Sequence, residues 1–112
     1  MMNRLFIDDE RFPPSPLKGM DQDWAIVRSY DEAIQYFRQN PCPSYISFDN
    51  DLGVGKEGAD IANWLIEYDL DNDGHYIPND FQYYVHSQNP VRRDYINQTL
   101  ARYLAFKRKC KL

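Results

Sequence analysis

Little in this chain invites a disulfide, a membrane or a repeat. Its 112 residues hold only two cysteines, Cys42 and Cys110, far apart in sequence. No metal-ligand spacing links them, which excludes a disulfide framework and reads as two free thiols in a reducing compartment. No apolar run approaches the ~20 residues that a membrane-spanning helix needs. An acidic cluster begins at Asp8, too early to leave room for a secretory leader. These absences predict a cytoplasmic protein with no membrane partner. Internal repeats and low-complexity stretches are missing too, and the length suits one domain over residues 1–112.

Charge is present but uneven. The net value is −4, yet residues 90–112 carry seven basic side chains and one acidic, against six and sixteen in residues 1–89. A basic C-terminal helix over about 90–109 (Arg92, Arg93, Arg102, Lys107, Arg108 and Lys109) therefore rides on an acidic body. It is a candidate for non-specific nucleic-acid contact, although a solvated helix face explains most of it equally well.

Four short apolar runs read as strands: 5–7, 24–27, 45–48 and 81–85. Ser29 with Glu32 forms a capping-box pattern for a helix over 31–39, ended by Asn40 and Pro41. A second helix is expected over about 58–68. Asn89 as N-cap and Pro90 at the first position open a third, with Val91, Tyr95, Ile96, Leu100, Tyr103 and Leu104 turned inward. Between the first two strands, Phe12-Pro13-Pro14-Ser15-Pro16 excludes a regular helix and predicts an ordered loop of roughly 16 residues. The order β-loop-β-α-β-α-β-α, joined by right-handed crossovers, predicts a small open parallel α/β sheet in order 2-1-3-4.

Three of the strands run straight into polar clusters. The first ends at Asp8 and Asp9, the third at Asp49 and Asp51, the fourth at His86 and Ser87. In an open α/β sheet ligands bind beyond the carboxyl ends of the strands, where the strand order reverses. Clustered carboxylates repel one another unless a cation neutralises them. Asp8, Asp9, Asp49 and Asp51 are accordingly candidate ligands of a divalent metal, Mg²⁺ or Mn²⁺. His86 is a candidate acid or base near neutral pH. Ser87 and Asn89, beside a helix N-terminus, can hold phosphate. Arg11, Arg28 and Arg92 are candidate phosphate or substrate contacts, Arg92 because a basic residue in a helix's first turn opposes the dipole. The run from Asp69 to Gly74 has the D-x-D-x-D-G spacing of a calcium loop with Asp80 in the twelfth place. Pro78 inside it and a strand after it favour a plain acidic turn.

Together these blocks resemble the receiver domains of two-component signalling. The likeness implies a flavodoxin-like sheet, shortened here by the first helix and the fifth strand. They resemble more closely the cyclic-phosphate-processing receiver-like group. The carrying blocks are 5–13 (L-F-I-D-D-E-R-F-P), 27–33 (V-R-S-Y-D-E-A), 46–53 (I-S-F-D-N-D-L-G), 58–64 (G-A-D-I-A-N-W) and 85–91 (V-H-S-Q-N-P-V). This chain has Asn50 where that group commonly has His, and Arg92 where it has Gly. The resemblance implies processing of a cyclic phosphate, in a small molecule or at a 2′,3′-cyclic RNA end. Asp9, Asp49 and His86 are then expected to form the catalytic set. The alternatives are a non-catalytic module that binds a protein or nucleotide, and a receiver that accepts phosphate on Asp49.

Overall fold

Four strands of four residues each alternate their side chains between two faces, and that alternation organises the molecule. The computed structural model describes residues 4–13, 24–53 and 55–110. Its elements are β1 (Arg4–Ile7), β2 (Trp24–Val27), α1 (Tyr30–Gln39), β3 (Tyr45–Phe48), α2 (Gly58–Asp71), β4 (Gln82–Val85) and α3 (Pro90–Cys110). The strands pair in parallel in the order β2-β1-β3-β4, as expected. The expected loop between β1 and β2 falls mostly on residues 14–23, outside the described residues. No fifth strand occurs among the described residues.

One face carries Leu5, Ile7, Val27, Ile46, Phe48 and Val85 into the core. Ala33 and Phe37 of α1, Ile61, Ala62 and Leu65 of α2, and Ile96, Leu100 and Tyr103 of α3 close over it. Burying each large apolar side chain here contributes roughly 1.5–3 kcal/mol. Among the described residues, each of the three helices sends buried apolar side chains into this one cluster. No helix there is long and apolar enough to cross a membrane.

Ser29 caps α1 by accepting a hydrogen bond from the Glu32 N–H at 3.1 Å. The capping box does not close. The Glu32 carboxylate accepts instead from the N–H of Arg28, at 2.8 Å. Three further expectations need correcting. Val91 is 75% exposed and Tyr95 43% exposed, so the buried stripe of α3 begins only at Ile96. Lys107, counted with the basic arm, is only 5% exposed. Its Nζ meets Asp69 Oδ2 at 3.0 Å and donates to the Ile77 carbonyl at 2.8 Å.

Asp69 also accepts from the N–H groups of Tyr76 (2.9 Å) and Ile77 (2.7 Å) and from the Tyr103 hydroxyl. The first residue of the calcium-like spacing is thus a structural lock inside α2, consistent with an acidic turn. The chain reverses after it through Asp73 and Gly74, both at positive φ.

Candidate functional site

The strand parity that buries one face also delivers the site. Phe6 and Asp8, Ser47 and Asp49, and Tyr84 and His86 are each two residues apart, so each pair projects to the side opposite the helices. Sheet hydrogen bonds continue one residue past each strand. Asp8 N–H donates to Val27 O (3.2 Å), Asp49 N–H to Ile7 O (2.9 Å) and His86 N–H to Phe48 O (2.8 Å). Three chemistry-bearing residues are therefore held by the sheet and not by loops. Gly58 fixes the next layer: a Cβ there would lie 2.1 Å from the Asp49 carbonyl oxygen, so only glycine lets α2 approach this backbone so closely.

Asp8 is fully buried. Its Oδ1 accepts from the N–H groups of Glu10 (3.0 Å) and Arg11 (2.8 Å). Its Oδ2 meets Arg11 Nε at 2.9 Å and His86 Nε2 at 3.0 Å. Arg11 Nη2 reaches on to Asp49 Oδ2 at 3.5 Å. His86 is held from the other side as well, with Ser47 Oγ 2.7 Å from Nδ1 and the Phe6 ring stacked at 4.7 Å. An ionised Asp8 accepts at Nε2–H, which leaves Nδ1 to accept the Ser47 hydroxyl proton.

The two carboxylates are driven apart electrostatically. Burial raises the Asp8 pKa, but the Arg11 and Glu10 N–H bonds, His86 and the Arg11 charge outweigh it and hold the group below its ordinary value. Burial, and then the Asp8 charge, push Asp49 above its ordinary value despite His86 and Arg11. Two neighbouring acids with opposed shifts are an arrangement that acid–base chemistry uses.

Asp8, Asp49 and His86 each offer one ligand atom, and all three atoms lie within 4.8 Å of one another. Two carboxylate oxygens and one imidazole nitrogen fit a divalent cation, Mn²⁺ at least as well as the harder Mg²⁺. The expected ligands Asp9 and Asp51 are not part of this cluster. Both are exposed, and Asp51 Oδ1 accepts from the Gly53 N–H at 3.1 Å. They line the mouth of a polar cavity of about 840 Å³, together with Arg11, Asp49, Ser87 and Asn89.

The remaining candidates divide. Ser87 is buried, and its Oγ accepts from the Asn89 N–H at 3.2 Å. Asn89 caps α3 through the N–H groups of Val91 (3.1 Å) and Arg92 (3.2 Å). Arg28 does not face the polar cavity. Its Nη1 donates to the carbonyls of Asp8 (3.0 Å) and Arg11, bracing the loop after β1. Arg92 is turned to Glu57, 3.5 Å away, and lies outside the cavity lining.

Sequence reasoning missed Ser47 as the partner of His86, and Asn50 as a brace. Asn50 is buried, its Oδ1 accepting from Ala59 N–H (3.3 Å) and its Nδ2 donating to Glu57 (3.2 Å). The signal for Ser47 was available: counting back two residues from Asp49 along an apolar strand lands on a hydroxyl.

The fold and the acidic rim define a receiver-like α/β domain. A family model described as the cyclic-phosphate processing receiver domain matches residues 3–102, and the chain belongs to that family. Two solved structures are similar in shape alone. One is an adenylate cyclase from Rhodopirellula baltica, at 15% identity and TM-score 0.47, covering 97% of this chain and 94% of that one. The other is a fusion carrying a yeast Spc42 trimeric coiled-coil segment, at 14% identity and TM-score 0.50, covering 98% of this chain and 82% of that one. No curated protein matches the chain.

Proposed function

We propose that this domain opens a cyclic phosphate by metal-dependent hydrolysis, on a cyclic nucleotide or a 2′,3′-cyclic end of RNA. The observation that carries the reading is the meeting of Asp8, Asp49 and His86 within 4.8 Å beside Arg11, in a chain of the cyclic-phosphate processing family. Asp8, Asp49 and His86 would hold a divalent cation. When bound, such a cation neutralises charge developing on the phosphate and acidifies a water.

The chain's own groups do the rest. Arg11, 47% exposed at its side chain, releases the carboxylates to grip a phosphate oxygen. Asp49, its carboxyl raised by burial, takes a proton from the attacking water and passes it to the leaving ribose oxygen. Water oxygen bonds to phosphorus as one ring P–O bond breaks, leaving a phosphomonoester. His86 was the sequence candidate for the leaving-group proton. As a cation ligand through one ring nitrogen, with Ser47 Oγ 2.7 Å from Nδ1, it would have no proton placed for the leaving group. Asp9 and Asp51 would draw a hydrated cation to the mouth.

Purified protein with Mn²⁺ should linearise adenosine 2′,3′-cyclic phosphate, and Asp49→Ala should abolish this. No turnover by the wild type with either Mn²⁺ or Mg²⁺ would sink the reading. One observation favours a non-catalytic ligand-binding module as the second reading: Arg11 already spans both carboxylates and supplies a built-in cation. Nucleotide binding without turnover would select it.

A further inference from the structure

The polar cavity has a neighbour of different character. On the sheet face away from the helices lies a groove of about 440 Å³, a size within the ~300–1,000 Å³ of small-ligand sites. Its walls are aromatic: Phe6, Phe12, Trp24, Tyr45 and Tyr84. Phe6 meets Trp24 edge-on at 5.7 Å, and Trp24 meets Tyr45 at 5.8 Å. Phe12 is 74% and Tyr84 58% exposed, and the Arg28 guanidinium stands 4.8 Å over the Phe12 ring.

One residue belongs to both cavities. Arg11 lines the aromatic groove and the polar cavity alike. A ligand spanning the two must carry an anion at Arg11 and a flat apolar group beyond it. A phosphate joined through ribose to a base has that form. Stacking on aromatic faces accepts any base, because every base has a π-face.

We infer that the groove of Phe12, Trp24, Tyr45 and Tyr84 is a stacking platform for the nucleobase of a nucleoside cyclic phosphate whose phosphate lies at Arg11. The inference rests on the cyclic-phosphate reading of the neighbouring site and gives the base of that substrate its own binding surface. It selects a nucleotide over a sugar or glycerol cyclic phosphate, and commits the groove to that occupant.

The test uses the full chain carrying Trp64→Phe, so that emission reports Trp24. The ligands are uridine 2′,3′-cyclic phosphate and the base-free glycerol 1,2-cyclic phosphate, both with Mn²⁺. Emission titration with the nucleotide should show saturable quenching. Tyr84→Ala should weaken its binding about tenfold, the scale of one lost stacking partner, and Tyr84→Phe should restore it. Calorimetry should find the glycerol ligand weaker and indifferent to residue 84. Equal binding of both ligands, with Tyr84→Ala changing neither, would overturn the platform, and continued turnover would leave the phosphate chemistry standing. Base-dependent binding without turnover would keep the platform and remove the chemistry. A concentration-dependent dimer dissolved by Tyr84→Ala would give the groove to a second copy and overturn the proposal. So would Trp24 emission that responds to changes in residues 14–23 and not to nucleotide.

Discussion

Among the described residues two aspartates are fully buried, Asp8 and Asp69, and they do opposite things. Asp69 sits in α2 and takes all its partners from groups fixed in place: two backbone N–H groups, the Tyr103 hydroxyl and the buried Lys107. Asp8 also has four partners, but its cation is the half-exposed Arg11, and a second buried carboxylate, Asp49, stands beside it. Asp69 is a closed circuit with one acid and one base. The rim has two acids sharing one removable cation at the wall of a cavity. A buried acid alone does not mark a site. A buried acid whose compensating charge can leave does.

The sharpest break in that comparison comes from deleting one acid at a time. Asp49→Ala should lower kcat/KM for a nucleoside cyclic phosphate ~10³-fold or more, a loss of about 4 kcal/mol in transition-state stabilisation. It should leave the melting temperature unchanged or higher, because burial and Asp8 disfavour the Asp49 charge in the folded state. Asp69→Ala should do the reverse. It strands the Lys107 ammonium in the interior and should cost about 3 kcal/mol of stability by urea unfolding. Residual folded protein should keep its turnover per molecule. A stability loss in Asp49→Ala as large as in Asp69→Ala would mean that both acids are structural.

A smaller effect separates the two by ligand. Mn²⁺ at about a hundred times its dissociation constant should stabilise the wild type by ~2.7 kcal/mol, read as a raised unfolding midpoint. Asp49→Asn should abolish that gain, and Asp69→Asn should keep it on its lowered baseline. Equal stabilisation of wild type and Asp49→Asn would place the cation somewhere other than the rim.

Why one acid was legible and the other was not follows from the physics of each. Strand order came from short apolar runs and crossover handedness, both local properties of the sequence, and it brought Asp8 and Asp49 to one crevice as the structure has it. Asp69 has calcium-loop spacing but reads as part of a plain acidic turn, and nothing in its sequence neighbourhood names the groups that lock it. Its partners Tyr103 and Lys107 lie a helix away, and only tertiary packing shows that Lys107 turns inward. Arg11 and Arg28 were equally opaque, since a long flexible side chain on a loop can reach several targets. The structure turns one to the carboxylates and the other to backbone carbonyls. Ser47 was within reach of strand parity, two residues before Asp49, but its role shows only once the fold places His86 next to it.

The subtlest distinction is in the sign of the pH response, measured with a chelator present. Tyr103, the Ile77 N–H and Lys107 overcome the burial that would raise Asp69, and they hold it below the ordinary value of 3.8. The unfolded chain then binds the proton more readily, so Asp69 stabilises the fold above that value. The contribution fades as pH falls through the depressed folded pKa. Asp49 is raised, so the folded state binds the proton more readily and stability is lost as pH rises through the elevated pKa. The unfolding difference between wild type and Asp69→Asn should therefore be full at pH 7 and shrink below pH 3.8. For Asp49→Asn the variant should be the more stable protein at pH 7, and its advantage should vanish on acidification before the Asp69 effect begins to fade. Two curves of the same sign would mean that Asp49, like Asp69, is satisfied by its own chain, with no need of a bound cation.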